Sequence, residues 1–510
     1  MTNRASDATT TEMGRTIEMQ AAALGPLRDT IEHNPRATIE PSRSGDDSQA
    51  LEALSVLAAL RGDPSRGRRS LEIEHTLGQG GMGVVRLATQ VSVGRKVAVK
   101  TLREELRSET ATLRLLREAW VTGSLEHPNV VPVYDVGLDE HGAPVIILKR
   151  IEGVQWGELM ADAARVTERF RTRDLLEWNL GILMHVCNAV HFAHSRGIVH
   201  RDLKPENVMI GEFGEVYLLD WGIAVSLRDD GTGRLPLARD AKQLAGTPCY
   251  MAPEALGMDA SPITERTDVY LLGAVLFELL TGKPPHDGDT VLQILASIAT
   301  GEPDFPETAP PELVRICRRA MVRDPDGRFE SAEQFRLAIQ GFLQHRDSAM
   351  LAADADASFA ALRAELGHEG PVVPDRRQRV YNLFGACRFG YREALRIWPS
   401  NETARASFRE AAITMVDFEL GARDARSALL LLGEIEAPPE DLVARAPENA
   451  KFARDLSVSY WKFSTLTRDD AQTHWWNKAY SVLASMQARD ILAKGDEKYL
   501  AEVKAKLGLD

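Results

Sequence analysis

The run from His200 to Asn207, reading HRDLKPEN, constrains this chain more than any other feature, together with Asp220-Trp221-Gly222 at the end of an apolar, strand-like stretch. The residue types and spacing are those of a phosphoryl-transfer site. Asp202 stands where a carboxylate accepts the proton of an attacking hydroxyl, and Asn207 with Asp220 offers oxygen donors to a divalent cation. One such run can arise by chance, so the remaining parts of the machinery are required in order along the chain.

They are present. Gly78-Gln79-Gly80-Gly81-Met82-Gly83-Val84-Val85 spells G-x-G-x-x-G-x-V between two β-rich runs, Leu71 to Leu77 and Val84 to Thr89, which predicts a hairpin over a nucleotide. Glycine serves there because a Cβ would keep the backbone from the phosphates. Val97-Ala98-Val99-Lys100 follows as an alternating strand whose lysine suits the α- and β-phosphates. A helical stretch from Glu109 to Leu125 presents Glu118 as partner for Lys100, and Gly246 to Glu254 ends in Ala252-Pro253-Glu254. Glu254 is expected to pair with Arg328 of Asp324-Pro325-Asp326-Gly327-Arg328-Phe329.

With these elements in series, residues from about 71 to 345 resemble a Hanks-type, eukaryotic-like serine/threonine protein kinase of the bacterial kind. The resemblance implies an α+β, bilobal fold, with a β-rich N-lobe and a helical C-lobe, and an enzyme that transfers the γ-phosphoryl group of ATP to protein hydroxyls. It implies Asp202 as base, Lys100 on the phosphates with Glu118 orienting it, and Asn207 and Asp220 on Mg2+, with Mn2+ an alternative. Lys204 and Thr247 match the serine/threonine pattern and would position the acceptor hydroxyl. Nucleotide binding falls to Leu77, Gly78, Gly80, Gly81, Gly83, Val85, Ala98 and Lys100. Leu148 is then the gatekeeper, with backbone groups of Lys149 and Ile151 at the adenine edge. Asp268, opening the apolar run Val269 to Leu280, would brace the catalytic loop.

Two positions depart from the family pattern: Trp221 stands where phenylalanine is usual, and Lys149 where an acid is often found. The first alters packing beneath the helix of Glu118, and the second leaves backbone contacts to adenine untouched. Arg201 before the catalytic aspartate implies a basic pocket answered by a phosphorylated activation loop. Thr232 is the preferred activating site, an ordinary turn threonine is an equal alternative, and Asp229 and Asp230 could supply the charge instead.

A chain of 510 residues exceeds one such domain. Four parts are expected: a largely disordered extension over 1–67, a kinase domain over 68–345, a linker or helical connection over 346–380, and an all-α, tetratricopeptide-like region over 381–510. The net charge of −13 disfavours a nucleic-acid-coating or polybasic membrane role. Four widely spaced cysteines without CxxC pairs suggest reduced thiols, and no apolar run reaches membrane-spanning length, which together point to the cytoplasm.

The extension is poor in aromatics, with a short apolar-faced stretch from Leu51 to Leu60. Thr-Ile-Glu recurs in it at Thr16, Thr30 and Thr38, each with an arginine one or two residues earlier. Chance recurrence in a biased tail is the favoured explanation, and autophosphorylation sites read by a phosphothreonine-binding partner the other. After Gly367-His368-Glu369-Gly370-Pro371, the Ala-Leu pair at Ala394 returns 34 residues later at Ala428, the period of tetratricopeptide helix pairs. A non-repeating bundle is nearly as good a reading. Repeats would give a face for a protein partner or substrate, and Trp461, Trp475 and Trp476 are expected in packing. A catalytically silent scaffold and a small-molecule phosphotransferase are the competing functions. The complete Lys100, Asp202, Asn207 and Asp220 set opposes the first, and the full activation segment opposes the second.

Overall fold

The computed structural model describes residues 27–40, 71–241 apart from 81 and 82, 243–257, 261–301, 304–367, 374–422 and 424–432, with isolated positions 18 and 25 and parts of 476–509. Gly81, Thr16, Ile17, the stretch from Leu51 to Leu60, Trp461 and Trp475 lie outside them. The chain divides into two compact units, Met1–Phe342 and Leu343–Asp510.

In the first unit five antiparallel strands, β1 (Leu71–Gln79), β2 (Gly83–Gln90), β3 (Arg95–Leu102), β4 (Val133–Leu138) and β5 (Pro144–Lys149), form a sheet in the order β1-β2-β3-β5-β4. Ala88, Val97, Val99, Val145 and Ile147 build one apolar cluster of this sheet. Leu102 and Ile146 instead pack with Ala111, Leu115 and Ala119 of the helix Glu109–Ser124. That helix starts where the Ser108 hydroxyl accepts from the Ala111 amide, satisfying a first-turn donor. Register fixes the chemistry of the sheet: Lys100 lies opposite Val85 on one side and Ile146 on the other, and Ala98 lies opposite Leu148.

The helical lobe is centred on Leu175–Ser195, buried over about half its length, and Glu265–Thr281, buried over most of it. The second is capped by Thr264 and ends at Gly282 in the left-handed region, φ 77°, as the Thr281-Gly282 stop predicts. Thus the α+β, bilobal expectation holds: a β-rich N-lobe is followed by a helical C-lobe and then by further helices.

The helix Ala332–Leu366 carries the chain through the helical connection expected after 345. Within the extension expected to be largely disordered, Leu27–His33 is helical and Ile39 forms a β-bridge with Gly246. The reason is borrowed burial: Ile31 and Ile39, 2% and 3% exposed, complete a cluster with Leu244, Met251, Leu256, Val291 and Ile294 of the C-lobe.

In the second unit Pro374–Ile397 and Glu402–Gly421 pack with residues of Ala332–Leu366 around Phe359, Leu362, Phe384, Tyr391, Phe408 and Met415. Ala394 and Ala428, the pair whose spacing suggests a repeat, are both fully buried, as is Trp476 nearly.

Candidate active site

The catalytic loop is held from below by one carboxylate. Asp268 in the first turn of Glu265–Thr281 accepts from the backbone amides of His200 at 2.8 Å and Arg201 at 2.9 Å, and meets His194 Nε2 at 2.8 Å. These contacts to the ionised form, with burial opposing them, keep Asp268 below the ordinary carboxylate range. So fixed, the loop carries Arg201 at φ 71°, a left-handed conformation uncommon for a side-chain-bearing residue.

Asp202, 2% exposed, is the centre of a polar knot. Its Oδ1 accepts from Thr247 Oγ1 at 2.5 Å, and its Oδ2 accepts from Asn207 Nδ2 at 3.0 Å. Lys204 Nζ stands 3.5 Å from Asp202 Oδ2 and donates to Thr247 Oγ1 at 2.8 Å. Asn207 is anchored again through Nδ2 to the Asp202 carbonyl at 2.8 Å. With its Nδ2 spent on Asp202, the amide oxygen is what Asn207 has left for a cation.

On the N-lobe side Lys100 Nζ bonds both oxygens of Glu118, at 2.6 and 2.7 Å, and stands 3.9 Å from Asp220 Oδ1. Burial works against the charged lysine, but Glu118 and Asp220 outweigh it and hold its pKa above the ordinary value. Asp220 is lowered, first by Lys100, and its carboxylate is half-exposed, which leaves its oxygens open to a cation. Two oxygen donors, Asn207 and Asp220, with no nitrogen or sulfur, suit a hard ion such as Mg2+, which keeps water and phosphate for its other positions. Among the described residues no cluster of three His, Cys, Asp or Glu side chains forms a protein-only metal cage.

Among the described residues, Gly78 and Gly80 have no other protein atom within 4 Å of where a Cβ would stand. The described packing does not demand glycine at either position, and the open space leaves room for a ligand to approach the backbone. Trp221 is 1% exposed and tilted against His200 with centroids 4.4 Å apart. Lys149 turns to Tyr217, with its Nζ hydrogen-bonded to the phenol and 4.6 Å from the ring centroid. Its side chain is thus engaged on Tyr217, and its amide donates to the Pro132 carbonyl at 3.0 Å.

The expected Glu254–Arg328 pair forms, bidentate at 2.7 and 2.8 Å and almost wholly buried. Arg201 is also buried, and its Nε and Nη2 have no hydrogen-bond partner among the described residues. Burial lowers its pKa to about 10, against the pull of Asp268 and Asp202. Thr232, the proposed activating site, bonds Asp230 through its hydroxyl at 2.8 Å.

The sequence reading did not foresee the N-terminal segment at this site. Thr38 Oγ1 donates to Asp202 Oδ2 at 2.8 Å, and Arg36 meets Glu206, Glu278 and Tyr250. The recurring Thr-Ile-Glu with a preceding arginine was its only trace in the sequence.

Residues 71–338 match the family model described as protein kinase domain. Similar proteins include a probable serine/threonine-protein kinase of Streptomyces coelicolor, 36% identical over 289 residues, covering 55% of this chain and 41% of that protein. Serine/threonine-protein kinase PknD of Chlamydia trachomatis is 34% identical over 304 residues, covering 54% of this chain and 31% of the relative. Serine/threonine-protein kinase PknB of Mycobacterium tuberculosis is 33% identical over 281 residues, covering 54% and 43%. The chain therefore spans less than half the length of these relatives. With the family model matched over more than half of its residues, the chain belongs to the protein kinase family.

Proposed function

We propose that this chain is a serine/threonine protein kinase that transfers the γ-phosphoryl group of Mg-ATP to protein hydroxyls. The observation that carries this reading is the Asp202 carboxylate, held at once by Thr247 and Asn207 beside Lys204, with the Lys100–Glu118 pair formed across the cleft. Asp202 accepts the hydroxyl proton, Lys204 and Thr247 fix the acceptor, and Lys100, oriented by Glu118, binds the α- and β-phosphates. Asn207 and Asp220 hold Mg2+, which when bound offsets the charge of the phosphates. The glycine-rich loop covers those phosphates, and the backbone of Lys149 and Ile151, next to the Leu148 gatekeeper, receives adenine against Leu77, Val85 and Ala98. Rate enhancement comes from positioning and fixed charge.

Autophosphorylation, a protein partner on the helices beyond residue 374, and residence in the cytoplasm belong to the same proposal. No helix among the described residues is long and apolar enough to cross a membrane. The buried alanines Ala394 and Ala428 support close helix packing of the tetratricopeptide kind.

The test is incubation of the protein with Mg-ATP and a generic protein substrate, with phosphosites mapped by mass spectrometry beside an Asp202→Asn control. Transfer to serine or threonine only in the unsubstituted protein supports the kinase reading. Nucleotide binding without transfer to any acceptor would leave the scaffold.

A further inference from the structure

The segment from Arg36 to Glu40 occupies the acceptor side of the site, leaving a turn at Arg36 and reaching a β-bridge at Ile39. Thr38 Oγ1 donates to Asp202 Oδ2 at 2.8 Å, accepts from Lys204 Nζ at 2.7 Å, and lies 3.3 Å from Thr247 Oγ1. The hydroxyl thus touches all three groups assigned to an acceptor.

Its neighbours hold it in one register. The Ile39 amide donates to the Gly246 carbonyl at 2.8 Å and the Gly246 amide donates back to the Ile39 carbonyl at 2.9 Å, so two backbone bonds fix the residue that follows Thr38. Gly246 stands at φ 123°, where a Cβ would lie 2.9 Å from the Arg201 carbonyl; only glycine lets the loop meet the peptide in this form. Lys204 Nζ also donates to the Arg36 carbonyl at 3.1 Å.

Three side chains then read the sequence around the hydroxyl. Two residues before it, the Arg36 guanidinium reaches the carboxylates of Glu206 and Glu278 and the Tyr250 hydroxyl. Part-buried between two acids, an arginine is worth more than a surface ion pair, and its planar fork is not matched by lysine. One residue after, Ile39 fills the cluster of Leu244, Met251 and Leu256. Two residues after, Glu40 meets Arg114 at 2.8 Å.

We propose that Thr38 is this chain's own phosphoryl acceptor, modified in cis, and that the site takes acceptors of the form arginine, any residue, threonine, aliphatic. This rests on the kinase reading above. In the step, a bond forms between Thr38 Oγ1 and the γ-phosphorus of Mg-ATP while the bond from that phosphorus to the bridging oxygen breaks. The hydroxyl proton passes to Asp202, and ADP leaves.

The structure also separates Thr38 from its twin. Arg28-Asp29-Thr30-Ile31-Glu32 has the same pattern, yet it lies in the helix Leu27–His33 with the Thr30 carbonyl bonded to the Asn34 amide. Pattern alone does not present a hydroxyl; the β-bridge of Ile39 with Gly246 does.

The experiment is time-resolved phosphosite mapping of the full chain with Mg-ATP and a generic protein substrate in the same tube, over a wide range of chain concentration. Thr38 is expected to be labelled ahead of Thr30, at a first-order rate independent of chain concentration. Arg36→Ala is expected to slow Thr38 labelling by about tenfold or more, the loss of a charged hydrogen-bond set. In a second arm the Thr38→Ala chain is given synthetic peptides of residues 34–42 with Arg36 or alanine, and the arginine peptide is expected to have the higher kcat/KM by a similar factor. Labelling of the generic substrate without Thr38 overturns the proposal and leaves the kinase reading standing. A Thr38 rate that rises with chain concentration overturns the cis step, and equal use of the two peptides overturns the acceptor rule. A chain that binds nucleotide and labels nothing overturns both readings.

Discussion

Glu254→Ala tests how the segment that ends in Ala252-Pro253-Glu254 is anchored. The carboxylate and the Arg328 guanidinium are 1% and 0% exposed and share two bonds of 2.7 and 2.8 Å. Arg328 also donates to the carbonyls of Val322 at 2.7 Å, Arg323 at 2.9 Å and Arg266 at 3.0 Å. Removing Glu254 leaves a buried cation without its counter-charge, a loss of about 3 to 5 kcal/mol. For a domain of this size that lowers the melting temperature by about 10 °C. Scanning calorimetry of the full chain reads this in the transition of the first compact unit. Arg328→Ala should cost a similar amount, since it orphans the carboxylate and three carbonyls. The double variant should lose well below the sum of the singles, because the second removal no longer strands a charge. Losses of less than about 1 kcal/mol for Glu254→Ala, or additive singles, would refute the argument that burial makes this pair costly to break.

Asp202→Asn should lower phosphoryl transfer by about 100- to 10,000-fold while nucleotide binding, read by calorimetric titration, persists. Glu40 titrates near 7 when docked, raised from 4.5 by burial against the pull of Arg114. Docking therefore takes up a proton: it is strongest below the free carboxylate's pKa, weakens as pH rises from 4.5 to 7, and is flat above, a change of up to about 3 kcal/mol. Hydrogen-exchange protection of the Ile39 and Gly246 amides, corrected for intrinsic rates, should fall over that window, and Glu40→Gln should abolish the slope. Trp221→Phe removes a buried indole N–H that has no partner among the described residues but leaves a smaller ring beside His200. The two effects offset, so stability in denaturant should change by less than about 1.5 kcal/mol; a larger loss would mean that the N–H is satisfied.

How much was legible in the sequence depends on whether the chemistry is local. Asp202, Lys204 and Asn207 sit within six residues of one another, and the glycine pattern, Lys100 and Asp220 carry fixed spacings, so each could be named before any geometry. The Lys100–Glu118 and Glu254–Arg328 pairs are distant in sequence, yet each partner sits in a short recognisable context. What was not legible is burial borrowed from elsewhere. Residues 27–40 hold too few apolar side chains to form a core, and composition alone marks them as unstructured. Ile31 and Ile39 are nonetheless buried, because the C-lobe cluster around Ile294 accepts them.

The docked segment also ties together parts of the first unit that are far apart in sequence. Ile31 and Ile39 pack on the C-lobe, Ile39 pairs with the Gly246 loop, and Glu40 reaches Arg114 on the N-lobe helix. Arg114 lies four residues before Glu118 on that helix, one turn away on the same face. The same helix thus gives Glu118 to Lys100 and Arg114 to the peptide. Any rotation that draws Glu118 from Lys100 also moves Arg114 relative to Glu40, so the Lys100–Glu118 ion pair and peptide docking draw on one helix position. A peptide on the same chain meets this site at an effective concentration on the order of millimolar, without new contacts. Under the kinase reading proposed above, a separate substrate protein must then displace Thr38 from Asp202 before its own hydroxyl can be presented.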